Sequence, residues 1–153
     1  MRDRAILGGI SGIVGSVFCT LYEVIAESLK ITDRSFLDYT ATLVANKVYP
    51  GTLGFIVAFF SQTAVGILFG VVFVYLTKII SSRYYLLKGL GYGFTLWLLL
   101  SGVGIIFKLP TIMDIPSTVS LFDLTNALLY GLITAYIIKI LDHKFTETVK
   151  ILN

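Results

Sequence analysis

The chain has 153 residues, of which 56% are hydrophobic and only 14% are charged. Soluble domains carry charge on about a quarter of their residues, so this composition argues against a soluble enzyme, a coiled coil and a disordered chain. One cysteine and one histidine exclude a zinc, haem or iron–sulfur site built from these residues within one chain, and we expect no cofactor. A net charge of +3 without a basic run gives no sign of nucleic-acid binding.

Four long stretches without charged side chains predict four membrane-spanning helices. A helix needs about 20 predominantly apolar residues to cross the hydrocarbon core, and lipid offers no partner to an unpaired backbone amide. The predicted spans are residues 5–26, 52–77, 85–107 and 120–141. The first span resembles a secretory signal, but it is longer than a signal core and carries Glu23 in the would-be cleavage region. We therefore expect it to be retained.

Residues 35–48, between the first two spans, have a different pattern. Apolar side chains fall on one side of a helical wheel, and Asp38, Thr42 and Asn46 fall on the other. This predicts a short amphipathic helix that lies along the membrane interface, with Ser35 as its N-cap. The predicted fold is therefore all-α: an integral membrane four-helix bundle with one interfacial helix, forming a single polytopic domain over residues 1–153.

The distribution of basic residues predicts the orientation of the chain. With four spans, both termini lie on the same side of the membrane, and eight of the 12 lysines and arginines fall on that side. Lys30, Arg34, Lys47 and Lys108 fall on the other. Because basic residues accumulate in cytoplasmic loops, we expect both termini in the cytoplasm.

Small residues recur four positions apart in every predicted span. Apolar side chains gain little by leaving lipid for protein, so helices in a bilayer associate over small residues that let their backbones approach. The glycines predicted to serve this packing are Gly8, Gly12, Gly66, Gly70, Gly89, Gly93 and Gly131. Packing between helices of one chain and packing between two chains are both open, and we expect the first. The second and fourth spans also show a trace of a repeat, in which Gly70 aligns with Gly131 and Tyr75 with Tyr136.

A few polar side chains lie unusually deep in the spans. Gln62 and Trp97 fall about ten residues, or roughly 15 Å, from the ends of their helices. One interpretation is a polar path for a solute, lined by Gln62, Trp97, Ser101 and Asn126. The other, which we expect, is a hydrogen bond from the Trp97 indole N–H to the Gln62 amide oxygen, worth about 0.6 kcal/mol.

Three carboxylates lie at the outer ends of the spans. Glu23 and Glu27 are one helical turn apart at the end of the first span, and Asp123 enters the fourth. They form either an acidic vestibule that attracts cations or a solvated rim in which Ser120 and Asp123 cap a helix, and we expect the rim. The sequence contains no nucleophile–base pair, phosphate-binding loop or metal spacing, so we expect no enzymatic activity.

The third span carries a resemblance to a known family. The run KGLGYGFTLWLLL from Lys88 to Leu100, continued by FKLP from Phe107 to Pro110, resembles the YqhR-like small membrane proteins of Gram-positive bacteria. That resemblance implies four spans in the bacterial cytoplasmic membrane and no established activity. We thus expect a non-enzymatic component of the envelope or of a membrane complex, partnered by lipid and by a second copy or another membrane protein. The alternative is a small oligomeric transporter or channel for a cation or small polar solute, and a cavity that reaches Gln62 would favour it.

Overall fold

The computed structural model describes residues 4–32, 34–45, 51–79, 84–108 and 115–151, apart from the side chains of residues 43–45, 78–79 and 143–151. Every regular element in this part of the chain is a helix, which confirms the predicted all-α fold. The helices are α1 (Arg4–Ser28), α2 (Phe36–Ala45), α3 (Gly51–Ile79), α4 (Tyr85–Ile106) and α5 (Ser117–Ile151). The predicted end of the interfacial helix, residues 46–48, lies outside the described residues.

Four of these helices are long and apolar enough to cross a membrane: α1, α3, α4 and the part of α5 from Ser117 to Asp142. The four predicted spans are therefore confirmed. Large apolar side chains cover their outward faces; Phe18, Phe60 and Leu99, for example, are each more than half exposed. Exposed apolar area costs about 25 cal/mol per Å² in water, so a surface of this kind indicates contact with lipid. α5 begins three residues before the predicted start, because the amide of Ser120 already bonds to the carbonyl of Pro116 at 3.1 Å.

Glycines bring the spans together in two close antiparallel pairs. In the first pair, a Cβ added at Gly8 of α1 would lie 2.6 Å from the carbonyl oxygen of Gly70 on α3. Gly12 faces Gly66 one turn further along. In the second pair, Gly89 of α4 contacts Gly131 of α5, and Gly93 contacts the backbone of Ala127. The structure thus places all seven glycines at contacts within the chain.

Aromatic side chains fill the space between these two pairs. The hydroxyl of Tyr92 on α4 donates to the carbonyl of Phe69 on α3 at 2.7 Å, and the rings of Tyr92 and Phe73 lie 4.7 Å apart. The backbones of α3 and α4 stand further apart than those of the glycine pairs, because these rings separate them. A groove of about 570 Å³ remains beside them, lined mainly by apolar residues of α3 and α4.

The short helix α2 is present as predicted, but it is more buried than a helix with one side facing water would be. Leu37 and Ala41 pack against Ala58 and Phe59 of α3. Thr42, which the wheel places on the water-facing side, is only 5% exposed. α2 therefore covers one end of the bundle, and its described side chains are buried or half-buried on both sides of the helix.

The start of α2 also differs from the expected Ser35 cap. The Ser35 hydroxyl has no hydrogen-bond partner among the described residues. Instead, the Asp38 carboxylate reaches back and accepts the amide N–H of Ser35 at 3.2 Å. An acidic residue in the first turn can stabilise a helix in this way, because it also faces the positive end of the helix dipole.

Candidate buried polar site

Glu23 is the centre of a polar cluster beneath α2. It lies in the last two turns of α1 and its side chain is 0% exposed. Three donors from three other helices reach its carboxyl group. The amide N–H of Leu37 in α2 lies 3.1 Å from Oε2, and the amide nitrogen of Gln62 in α3 lies 3.0 Å from Oε1. The side-chain amide nitrogen of Asn126 in α5 also donates to Oε1.

The position of α2 explains the bond to the Leu37 backbone. The first four N–H groups of a helix have no partner within it, and Leu37 is the second residue of α2. The helix dipole places partial positive charge at the same end, which makes a helix N-terminus a ready site for a carboxylate. α2 therefore docks onto Glu23 through its own unsatisfied backbone.

Asp123 forms a second part of the cluster. Its side chain is 4% exposed, and Oδ2 accepts a hydrogen bond of 3.0 Å from the hydroxyl of Tyr39 in α2. Burial, together with the neighbouring Asp123 carboxyl group, raises the pKa of the Tyr39 hydroxyl well above its usual value. The hydroxyl therefore stays protonated and acts as the donor. The other oxygen of Asp123, Oδ1, has no hydrogen-bond partner among the described residues.

The two side-chain amides are oriented by Glu23. A carboxylate only accepts hydrogen bonds, so Gln62 and Asn126 must turn their NH₂ groups towards it. Their carbonyl oxygens then point elsewhere, and neither has a partner among the described residues. The Gln62 oxygen does not accept the Trp97 indole N–H, so the hydrogen bond expected between these two residues is wrong.

Two small cavities of about 50 Å³ each border the cluster. We call the first the amide cavity, because Gln62 and Asn126 both line it. We call the second the acid cavity, because Asp123 lines it, together with Trp97 and Ser101. Four residues line both cavities, which makes them neighbours: Phe36, Thr40, Val65 and Leu100.

The carboxylates do not lie where the predicted solvated rim would place them. Glu23 and Asp123 are buried, and only Glu27 is exposed. The predicted capping box is also wrong, because α5 begins at Ser117 and Asp123 lies in its second turn, turned towards Tyr39. The physical reason is the same in each case: α2 covers this end of the bundle, which we call the α2 end.

The predicted polar path is split between the two cavities. Gln62 and Asn126 come together at Glu23, whereas the half-buried Trp97 and Ser101 line the acid cavity instead. The prediction missed two contributors, Tyr39 and the backbone amide of Leu37. A tyrosine on the apolar side of α2 was the available signal, because a buried phenol hydroxyl usually finds a hydrogen-bond partner.

The cluster has no basic partner within the described part of the chain. No lysine, arginine or histidine there forms a hydrogen bond or ion pair with Glu23 or Asp123, and the positive charge of Arg34 acts instead on Tyr39, the donor to Asp123. The described residues also contain no group of three His, Cys, Asp or Glu side chains that could hold a metal ion. The site therefore combines two buried carboxyl groups, two oriented amides and small cavities.

Comparisons with family models, with curated proteins and with solved structures gave no match to this chain. The resemblance to the YqhR-like proteins stays a prediction.

Proposed function

We propose that this membrane protein is a non-enzymatic carrier for a small cation or small polar solute in the bacterial cytoplasmic membrane. The observation that supports this most is the amide cavity, which reaches Gln62 beside the fully buried Glu23. Ionisable groups inside membrane spans are costly and usually mark a solute or ion pathway. Here Asp123 lines the acid cavity, and the two amides that donate to Glu23 line the amide cavity.

Reconstitution into liposomes tests the proposal. Purified protein should carry a small monovalent cation down its gradient, measured by uptake into liposomes and compared with protein-free liposomes. Asp123→Asn should lower the rate by at least about tenfold, because losing a buried charge partner costs several kcal/mol. The amide oxygen of the asparagine in this variant can still accept a hydrogen bond from the Tyr39 hydroxyl.

Glu27→Gln is the matched control for that experiment. Glu27 lies one helical turn from Glu23 but is exposed, so its substitution removes the same charge without touching the buried cluster. Its uptake should equal that of the unmodified protein. Uptake no faster than in protein-free liposomes for every small cation and polar solute tried would reject the carrier proposal.

One observation supports the function that was expected first, a role as a component of a membrane complex. The groove between α3 and α4 faces outward, and a Cβ added at Gly91 on its wall would meet nothing within 4 Å. A second copy or another membrane protein would find a surface for close helix packing there. Gly91→Leu should then lower the oligomeric mass measured in mild detergent without changing solute uptake.

A further inference from the structure

Three oxygen atoms at the cavities lack the donor that a buried acceptor normally has. They are Gln62 Oε1, Asn126 Oδ1 and Asp123 Oδ1, and each belongs to a side chain that is at least nine-tenths buried. Buried polar atoms are nearly always hydrogen-bonded, and an unsatisfied one costs about 1–3 kcal/mol. The amide oxygens cannot turn towards Glu23, because it requires their NH₂ groups. The two amide oxygens, and Asp123 Oδ1 in the ionised carboxyl group, therefore need a hydrogen-bond donor.

Charge argues that this donor is a cation. Two carboxyl groups lie at the cluster, and no basic side chain of the described residues pairs with them. A buried carboxyl group either holds its proton or needs a cation beside it. Water would satisfy the oxygens of the protonated site, whereas a cation compensates the carboxylate that remains when the proton leaves. A cation that carries N–H groups would satisfy both requirements.

The walls of the cavities favour an organic cation over a bare metal ion. A metal cation needs a shell of oxygen ligands that replaces its hydration, but the cavities are lined mainly by aromatic and aliphatic side chains. Trp97, Tyr39 and Phe36 line the acid cavity. Aromatic faces attract ammonium groups, Trp most strongly. Aliphatic walls accept the alkyl part of such a cation, whereas they would leave an alkali ion unsolvated.

We infer that the amide and acid cavities together bind a small primary ammonium ion. Its –NH₃⁺ group has three donors, equal in number to the unpartnered oxygens, of which two belong to side chains of the amide cavity and one to a side chain of the acid cavity. Asp123 and Asn126 are three residues apart on α5, so their Cβ atoms are neighbours about 5–6 Å apart on one face of the helix. With about 50 Å³ in each cavity, the ion carries only a short alkyl group. This inference rests on the proposed function and specifies its substrate class.

Thermal unfolding of the full chain in detergent tests the inference, with methylammonium chloride as the probe. A ligand that binds only the folded state raises the unfolding temperature in a concentration-dependent way. Methylammonium should raise it, and NaCl or KCl at equal ionic strength should not. Tetramethylammonium, which has the same charge but no N–H donor and a larger volume, should also have no effect.

Two variants locate the site. Asp123→Asn should weaken methylammonium binding by at least about tenfold, as loss of a buried charge partner does. Trp97→Leu removes an aromatic wall without touching the hydrogen bonds of Glu23, so it should fold even where Asp123→Asn does not. It should weaken binding about two- to fivefold, the size of an ordinary cation–π contribution. Glu27→Gln should bind methylammonium like the unmodified protein.

The outcomes separate the inference from the proposed function. If sodium or potassium crosses reconstituted liposomes and methylammonium neither binds nor crosses, the substrate class is wrong and the carrier proposal stands. If methylammonium binds with the expected response of the variants but no cation crosses, the site stands and the carrier proposal is wrong. Equal stabilisation by methylammonium and tetramethylammonium would overturn the inference, because it would show no need for N–H donors.

Discussion

Glu23 shows how one side chain can determine the arrangement of several helices. Its carboxyl group lies out of contact with solvent and takes hydrogen bonds from α2, α3 and α5. Each donor alone would contribute about 1.5–3 kcal/mol as a bond to a charged group. Removing the acceptor would leave the two side-chain amides and one backbone amide without partners. Glu23 is therefore a structural centre as well as a candidate binding residue.

Only part of this cluster follows from the sequence at the residue scale. The depth of Gln62 and Asn126 in apolar spans identifies them as unusual. Neither hydropathy nor periodicity shows that both amides turn towards Glu23, because that requires knowing which helices are neighbours. The sequence does not predict the burial of Glu23 and Asp123 either, since a carboxylate near the end of a span normally reaches water. Both carboxyl groups are buried in the structure because α2 lies over the end of the bundle that contains them.

Asp38 provides a pH-dependent test of how α2 is held. Burial raises its pKa, although its hydrogen bond from Ser35 and the nearby Arg34 charge oppose that shift. The folded chain thus holds the proton more tightly than the unfolded chain. The tighter binding of this proton stabilises the folded state. That stabilisation is complete below the unfolded-state pKa of Asp38, about 3.9, and is lost as the pH rises through the folded-state pKa.

We therefore expect Asp38→Asn to unfold with a weaker pH dependence than the unmodified protein. The asparagine oxygen still accepts the Ser35 amide, so the cap of α2 is kept and only the buried charge is removed. Thermal unfolding from pH 4 to pH 8, followed by circular dichroism, measures the difference. Glu27→Gln should keep the original pH dependence. Identical curves for Asp38→Asn and the unmodified protein would show that Asp38 gains no charge on unfolding.

At the scale of the helices, the same contact pattern occurs twice. α1 contacts α3 through two glycine pairs, Gly12 with Gly66 and Gly8 with Gly70. α4 contacts α5 in the same way, through Gly93 with Ala127 and Gly89 with Gly131. The positions on α3 and α5 have the spacing of the repeat seen in the sequence, where Gly70 aligns with Gly131. Small-residue spacing therefore predicts the contact surface of each helix. It does not predict which helix faces which, because every span carries the same motif.

Gly12→Ala tests whether these contacts determine stability. A Cβ at Gly12 would approach the backbone of α3, within 2.8 Å of the Gly66 carbonyl carbon and 3.0 Å of the Ile67 Cα. Backbone cannot move aside as a side chain can, so α1 and α3 must separate. Overpacking of this kind costs about 1–3 kcal/mol, and we expect the unfolding free energy in mild detergent to fall by that amount.

Gly102→Ala is the matched control for Gly12→Ala. Gly102 also lies within a spanning helix, α4, but a Cβ there would meet nothing within 4 Å. Alanine is a better helix former than glycine by up to about 1 kcal/mol, so this variant should be as stable as the unmodified protein or more stable. A loss of stability equal in both variants would show that helix-backbone effects, and not the α1–α3 contact, dominate.

At the scale of the whole molecule, the number of spans is predictable but the closure of the bundle is not. The lengths of the uncharged stretches specify four crossings, because the thickness of the bilayer sets a minimum length for a helix. These lengths do not predict that Tyr92 and Phe73 bridge α3 and α4, with a groove beside them. They also leave open that α2 enters the bundle, since a ten-residue amphipathic helix satisfies its apolar side equally well in lipid or in protein.

The orientation of the whole bundle is tested by labelling single cysteines. The natural Cys19 is 4% exposed, so it should not react with a membrane-impermeant maleimide in intact cells. Glu27 lies at the α2 end of α1, and Tyr84 immediately precedes α4 at the opposite end; both are exposed. If the excess of basic residues orients the chain, Glu27→Cys should be labelled in intact cells and Tyr84→Cys only after the cells are opened. Reversed labelling would place α2 and the buried cluster on the cytoplasmic side, and a carrier would then first meet its solute from within the cell.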